Sequence, residues 1–358
     1  MIRKFVVLAT LCFAIGGWAA ADDRHEGRTV TIMTQNMDDG TDLTYIIGVL
    51  TNQFPATVGQ AVDLTFAELN ASDFEGRAAL LAAKISEKKP VLVALQEAVL
   101  WRIGPSPDTA TTVLYDNLAI LLAALKKAGA PYTVVATNSL TDLALPGDQI
   151  GGALRFTDRN AILVRSDLHR PDFYLTNVHS QTFDAMFPFA GMSIPAGWIS
   201  VDVHMGHEQF RFVTTHLQTP IQGIKEATKV QLAQAKELIH ELRDVKIPVV
   251  ICGDFNSDAN HGGFVDDTKA VDHFPRAGYT EAWPATHSIG DPGLTWPYYL
   301  EDQFPAPPFF APATPLERID LFFSRDMKAV SSDLVLAPAV GMPPFASDHA
   351  GVIATFKP

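Results

Sequence analysis

Short apolar runs alternate with amphipathic stretches along most of the chain. "VTIMTQN" (30–36) and "VLVALQE" (91–97) read as strands, each ending in a polar residue. Between them, "RAALLAAKISEKK" places apolar residues at 78, 81, 82 and 85, then a basic end and Pro90 as a stop, which predicts a helix. "VLYDNLAILLAALKKAG" (113–129) repeats the pattern at 114, 118, 121, 122 and 125 and predicts a second one. "YTVVATN" (132–138) and "NAILVR" (160–165) predict further strands. "GWISVDV" (197–203) and "FRFVTTH" (210–216) predict a hairpin across "HMGHEQ", whose His204 and His207 read as solvated. A helix over about 224–243 uses Leu232, Ala235, Ile239 and Leu242. "IPVVICGDF" (247–255) is apolar almost without a break, the mark of a strand covered on both faces. "RIDLFF" (318–323) and "GVIATF" (351–356) close the series.

Strands and helices mixed in this way, with hairpins in each half, predict an α/β domain of two packed sheets flanked by helices. Two stretches break the rhythm. Residues 39–75 separate the first strand from its helix and look partly helical, and residues 284–315 are rich in Pro and aromatics. Loops of such length in a domain are often functional.

The first 21 residues are set apart as a signal peptide: "MIRK" is basic, "FVVLATLCFAIGGW" is apolar, and Ala19-x-Ala21 offers a cleavage site. The apolar run is short for a membrane span. The expectation is a secreted or periplasmic protein cut near Ala21, with residues 22–358 as a single domain. Removing the leader takes away Arg3 and Lys4 and no acid, which moves the net charge from −13 to −15. Cys252 is then the remaining cysteine, so no intramolecular disulfide is expected. With 47% hydrophobic and 19% charged residues, the chain has ample material for a core. The acidity argues against a generic polyanion binder, because such affinity comes from Lys and Arg.

Several strands end in groups suited to metal or phosphate chemistry: Asn36, Glu97, His216, the Asp254/Asn256 pair, Asp320, and the Asp348/His349 pair. Sites of α/β proteins assemble at strand ends. The stretch "CGDFNSDAN" (252–260) is not an EF-hand loop. Counted from Asp254, the required Gly and Glu are replaced by Ala259 and Val265.

Taken in order, "TQNMDDG", "ALQE", "TTHLQ", "CGDFNS", "RIDLFF" and "SDHAGV" resemble the endonuclease/exonuclease/phosphatase superfamily, the deoxyribonuclease-I-like fold, over about residues 29–357. The resemblance implies a four-layer α/β sandwich. It also implies metal-dependent phosphoester hydrolysis, usually with Mg²⁺, with Mn²⁺ or Ca²⁺ as alternatives. Glu97 matches the principal metal ligand, with Asn36 beside it and Asp348 in reach of the metal site. Hard oxygen donors suit Mg²⁺. Asp254 matches the group that orients or deprotonates the attacking water, and Asn256 the amide donor to the phosphate. In extended chain both point to one face. His349 matches the general base or water-polarising histidine, with Asp320 holding its other ring nitrogen. His216 matches the histidine that contacts the scissile phosphate; its usual carboxylate partner is not identified. Plainer readings stand beside these: a surface carboxylate for Glu97, a turn cap for Asp254 and Asn256, and a buried structural role for His216. Asp258 reads as a turn residue.

The strings are similar to those of bacterial sphingomyelinases and related phospholipid diesterases, and nucleases carry similar ones. The acidic charge and the apolar loops "FDAMFPFAGM" (183–192) and "WPYYLEDQFPAPPFF" (296–310) favour a phospholipid or small phosphodiester, with contact to a membrane surface. The same loops would equally pack on the domain or close the pocket. Arg159, Asn160 and Trp296 are candidate substrate contacts. The alternative, an extracellular nuclease, would use Arg155, Arg159, Arg318 and Lys225 with aromatic stacking, but no dense basic run supports it. A non-catalytic binding protein on the same fold would leave gaps in the catalytic set, and none is found. No protein partner is implied.

Overall fold

Where the apolar runs predict buried strands, alternate residues go to two different cores. The computed structural model describes residues 28–358 apart from Asp42, Gln222, 263–267, 301–310 and 338–344. The expected leader lies outside the described residues.

In chain order the strands begin with β1 (Val30–Asn36), β2 (Leu92–Gln96), β3 (Leu100–Gly104), β4 (Thr112–Asp116), β5 (Tyr132–Pro146) and β6 (Ala153–Arg165). Next come β7 (Phe173–Thr182), a small hairpin of β8 (Phe187–Phe189) and β9 (Met192–Ile194), then β10 (Gly197–Met205), β11 (Glu208–His216) and β12 (Val249–Asp254). The short β13 (Thr280–Glu281), β14 (Tyr299–Leu300) and β15 (Ala311–Pro312) precede β16 (Asp320–Arg325), β17 (Lys328–Val335) and β18 (Gly351–Lys357). An eight-stranded sheet runs β17-β18-β1-β2-β6-β3-β4, with β5 also paired to β6, and a six-stranded sheet runs β13-β16-β12-β11-β10-β7. Both are mixed: β1 pairs parallel with β2 and β11 with β12, while their other neighbours are antiparallel.

The main helices are α1 (Thr44–Leu50), α2 (Val58–Ala71), α3 (Phe74–Lys88), α4 (Asn117–Lys127) and α5 (Lys225–Leu242). Ile32, Leu92, Val201, Phe212, Val250 and Phe322 meet between the two sheets. The alternate residues Met33, Val93 and Leu95 pack outward against Ala78, Leu81 and Ile85 of α3 and Leu121 and Leu125 of α4. On the far side, Val213, Ile251 and Leu321 pack against Ala235, Leu238 and Leu242 of α5. The result is helix, sheet, sheet, helix: the expected four-layer α/β sandwich. Among the described residues no helix is long and apolar enough to cross a membrane.

Three local expectations change. The helix predicted from residue 113 starts at Asn117, because Asp116 accepts the Ala119 N–H as its N-cap and the residues before it form β4. β5 and β6 extend well past 138 and before 160, since their pairing continues through Thr- and Asp-containing positions. His204 is not simply solvated: its Nε2 lies 2.8 Å from Thr176 Oγ1 and its ring stacks on Tyr174 at 4.2 Å. The 39–75 segment does form helices, α1 and α2, and α2 opens on a capping box from Thr57 and Gln60.

Gly253 lets β12 approach β11. Its φ is +144°, and a Cβ there would lie 1.9 Å from the Thr215 carbonyl oxygen. Gly253→Ala is therefore expected to destabilise the protein by about 3 kcal/mol or more, read as a lowered midpoint in urea unfolding. A midpoint within experimental error of the parent protein would show that β12 moves aside without cost.

Candidate active site

Period-2 alternation brings the polar strand ends together. On the inner faces, Ile32, Thr34 and Asn36 follow one another on β1, as do Phe212, Thr214 and His216 on β11. His216 stands opposite Asp254 across the β11–β12 pair, and Asp254 opposite Asp320 across β12–β16. The inner row of the second sheet thus ends in His216, Asp254 and Asp320 side by side. From the first sheet, Asn36 Nδ2 donates to Glu97 Oε1 at 2.7 Å and to Asp254 Oδ2 at 3.0 Å, joining the sheets at the site. Just inside it, Gln96 Nε2 donates to Thr214 Oγ1 at 2.9 Å and Thr34 Oγ1 to Gln96 Oε1 at 3.2 Å.

Loops complete the set. Glu97 has φ +52° and accepts the Asp39 N–H on Oε2 at 2.8 Å. The buried Arg77 of α3 pairs with Asp38 at 2.9 Å and donates to the Ala346 carbonyl at 3.2 Å, which holds the loop after β1 against the Ser347–His349 turn. β12 stops at Asp254, so Asp254 and Asn256 do not share a face by strand alternation as expected. Asp254 Oδ1 accepts the Asn256 N–H at 2.8 Å and Asn256 adopts φ +49°, an Asx turn that folds the two side chains together. Phe255 between them is buried among Phe274 and Phe323, which anchors the turn. Asp258, as expected, organises the next turn, accepting the Asn260, Gly262 and Arg318 N–H groups.

The Asn256 amide nitrogen lies 2.9 Å from His216 Nε2 and 3.0 Å from the Leu217 carbonyl. His349 Nδ1 lies 2.8 Å from Asp320 Oδ2, which turns its Nε2 toward Asp254 and Asp348, each 3.8 Å away. Asp348 in turn accepts the Trp296 indole N–H at 2.8 Å. Glu97, His216, Asp254, Asn256, Trp296, Asp348 and His349 line one cleft of about 370 Å³, with Asn36 and Asp320 just behind its wall. That volume is within the range of small-molecule sites.

Carboxylates crowd the cleft, and burial and their mutual repulsion shift its titratable groups. Burial pushes Glu97 up to about 7, with His216 pulling it down and Asp348 pushing it further up. Burial, reinforced by Glu97 and Asp158, also raises Asp39 well above the carboxylate range. Desolvation opposes the charged form of His349, but Asp320, Asp348 and Asp254 outweigh it and hold the imidazole well above its ordinary value. His216 is raised in the same way by Asp254, Glu97 and Asp158.

A divalent cation fits this donor set. Glu97, Asp348 and Asp39 supply hard carboxylate oxygens, and Asp39 Oδ1 is buried without a hydrogen-bond partner. Ligand atoms of Glu97, His216 and Asp254 lie within 4.8 Å of one another, as do those of Asp254, Asp320 and His349. In the second trio the His349–Asp320 hydrogen bond already engages one donor from each, so it reads as a proton-handling chain and not as a ligand set. Asn36 does not offer the oxygen expected of a ligand: its Oδ1 accepts the Asp38 N–H at 2.9 Å while its amide N–H groups hold Glu97 and Asp254.

Two expected substrate contacts lie elsewhere. Arg159 is spent on the Ala98 and Val99 carbonyls and on Asp116, and does not line the cleft. Asn160 is fully buried, bonding to Gly197 of β10 at 3.4 Å, and ties the sheets together. Trp296 does line the cleft. Of the cations a nuclease would use, Arg155 is paired with Asp142, Arg318 with Glu281, and Lys225 is exposed at the start of α5 outside the cleft. The 183–192 loop folds as the β8–β9 hairpin and contributes Phe187, Phe189 and Met192 to the cleft. Residues 301–310 of the other apolar loop lie outside the described residues.

Asp39 and Asp158 are among the acidic cleft residues that the sequence does not single out. Asp158 carried a usable signal: it stands two and four residues before the inward Asn160 and Ile162 of β6, and its charge reaches His216. Asp254 at 3.7 Å and Glu97 at 4.0 Å face His216 Nε2, and Asp158 adds its charge from farther away. Asp39, in a loop, carries no such signal.

Among curated proteins no sequence matches. A Beutenbergia cavernae endonuclease/exonuclease/phosphatase superposes with a TM-score of 0.56 at 22% identity, covering 92% of this chain and 72% of that one. D. rerio TDP2 complexed with single-strand DNA product gives 0.52 at 14%, covering 92% and 99%. The human Nocturnin catalytic domain with bound sulfate gives 0.52 at 17%, covering 92% and 93%. At these identities the likeness is one of fold. The model of the Endonuclease/Exonuclease/phosphatase family, whose members are metal-dependent phosphoester hydrolases, matches residues 64–349. The chain belongs to the endonuclease/exonuclease/phosphatase family.

Proposed function

We propose that this chain is an exported, divalent-metal-dependent phosphodiesterase that cleaves a phospholipid or small phosphodiester by in-line attack of water. The observation that carries the substrate class is the charge of the cleft. Eight of its described lining residues are Asp or Glu and none is Lys or Arg. The segments after residue 28 that lie outside the description contain no Lys or Arg either. A polyanion needs cations along its backbone. One phosphodiester beside a bound cation does not. The nuclease alternative draws on a fold neighbour crystallised with DNA, at 14% identity.

In this reading Asp254 orients and deprotonates the water, assisted by His349, whose ring is fixed by Asp320. Asn256 and His216, 2.9 Å apart, donate to the phosphoryl oxygens where charge accumulates. Glu97 and Asp348 hold the cation, Mg²⁺ in the first place, with Asn36 keeping Glu97 in position. When bound, the cation neutralises charge on the phosphoryl and leaving oxygens. Trp296 forms part of the cleft lining and pins Asp348.

The test is a substrate panel with Mg²⁺ and with EDTA: sphingomyelin, phosphatidylcholine, bis-p-nitrophenyl phosphate, single- and double-stranded DNA, and RNA. The expected result is Mg²⁺-dependent turnover of a lipid or of bis-p-nitrophenyl phosphate, abolished by EDTA. Turnover that survives chelation defeats the mechanism. Rapid DNA degradation without lipid turnover reverses the substrate class. Amino-terminal sequencing of protein recovered from the medium or periplasm tests export, with a start near Asp22 expected.

A further inference from the structure

The cleft has apolar lining that no chemical step uses. Ile46, Ile47 and Leu50 of α1 contribute to it, as do Phe189, Met192 and Ile194 at the β8–β9 hairpin. All but Ile46 are only half-buried, so a ligand can still cover them. Both elements come from stretches that add nothing to the catalytic row: α1 from the 39–75 segment, and the hairpin from the 183–192 loop. Their apolar surface is continuous with the Glu97, His216 and Asp254 centre, since the same cleft holds both. With no Lys or Arg in its described lining, this part of the cleft has nothing to hold a second phosphate.

We infer that α1 and the β8–β9 hairpin bind a hydrocarbon chain attached to the reacting phosphate, which makes the substrate an amphiphilic phosphodiester. The inference rests on the phosphodiesterase reading of the centre and adds the group that sits beside the phosphate. Hydrocarbon is favoured over a nucleoside because the six side chains include four aliphatic ones with no polar atom, and Met192. A buried methylene contributes about three- to fourfold in affinity, whereas a sugar hydroxyl or base amide placed there would lose its hydrogen bonds to water.

The experiment is calorimetric titration of the purified protein in Mg²⁺ with butyl, hexyl and octyl phosphate, each kept monomeric, and with a deoxynucleoside monophosphate. Affinity is expected to rise at least about tenfold from butyl to octyl, with octyl phosphate ahead of the nucleotide. In the Ile47→Ser/Met192→Ser double variant most of the rise should vanish. Leu50→Ser alone serves as a second variant if the double one melts early. A flat series, or a nucleotide that binds more tightly than octyl phosphate, overturns the inference. So does a folded variant that keeps the full series. Turnover of bis-p-nitrophenyl phosphate, which has no hydrocarbon chain, is measured separately. Absence of its turnover and of lipid turnover beside an intact chain-length series would defeat the phosphodiesterase reading and leave the hydrocarbon site standing.

Discussion

Asp254→Asn is expected to lower kcat by about 10³- to 10⁴-fold while leaving the melting temperature within about 5 °C of the parent protein. Asp254 is the point at which both sheets and both histidines meet. Its Oδ2 accepts from Asn36 at 3.0 Å and faces His216 Nε2 at 3.7 Å and His349 Nε2 at 3.8 Å, while Oδ1 accepts the Asn256 N–H. An amide keeps the shape and one acceptor oxygen, so the Asx turn survives. What it loses is the negative charge, and with it the base for the water and part of the field that raises both imidazoles. For the fold that charge acts in two directions: it raises the buried Asp320 and crowds Glu97, while it favours the charged forms of His216 and His349. A structural role for Asp254 predicts lost stability together with lost activity. A catalytic role predicts lost activity alone. Steady-state kinetics on bis-p-nitrophenyl phosphate beside thermal melts separates the two, and a kcat within tenfold of the parent would sink the assignment.

The second large effect is expected from Glu97→Gln, and it has two signs. Activity at limiting Mg²⁺ should fall by at least about 100-fold, because a neutral amide replaces the carboxylate best placed for the cation. Stability in EDTA should move the other way. Burial raises Glu97 from its ordinary value near 4.5 to about 7, so between these values the folded protein retains a proton that the unfolded chain releases. The stabilising contribution is therefore complete below about pH 4.5 and lost as pH rises through about 7. It amounts to at most on the order of 3 kcal/mol, and less for a side chain that is one-fifth exposed. Gln carries no such dependence. Above pH 7 in EDTA the variant should melt higher than the parent, and Mg²⁺ should narrow or reverse the gap by stabilising only the parent. Urea midpoints at pH 5 and pH 8, with and without Mg²⁺, provide the measurement. A variant that responds to Mg²⁺ as the parent does would remove Glu97 from the cation site.

Much of the site was legible because its residues extend strand patterns. Asn36, His216, Asp254 and Asp320 each occupy the next inward position of an alternating run, and alternation is a property of the local chain. Helix faces are legible for the same reason: Ala78, Leu81, Ala82 and Ile85 are all buried positions of α3, beside Phe74 and Arg77. The reading failed where a residue's fate depends on distant partners. Arg159 is polar and near a strand end, yet three acceptors from Ala98, Val99 and Asp116 claim it. Asn160 looked like a ligand contact and is a buried tie between sheets. For Asn256, strand alternation was the wrong rule, because Asp254 captures its N–H and ends the strand.

The linear chain already encodes the alternation of layers, the inward rows and the chemical types at their ends, since 2-residue and 3.6-residue periods act over a few neighbours. The order of its motifs also determined the family. Which carboxylates crowd Glu97 and His216, where Arg159 is spent, and what lines the rest of the cleft follow from long-range packing alone. Asp39 and Asp158 lie more than a hundred residues apart and meet through the β1-β2-β6 order of one sheet, while α1 and the β8–β9 hairpin, as far apart in the chain, share one cleft. Coulomb energy and hydrophobic burial depend on those distances, and no local period encodes them.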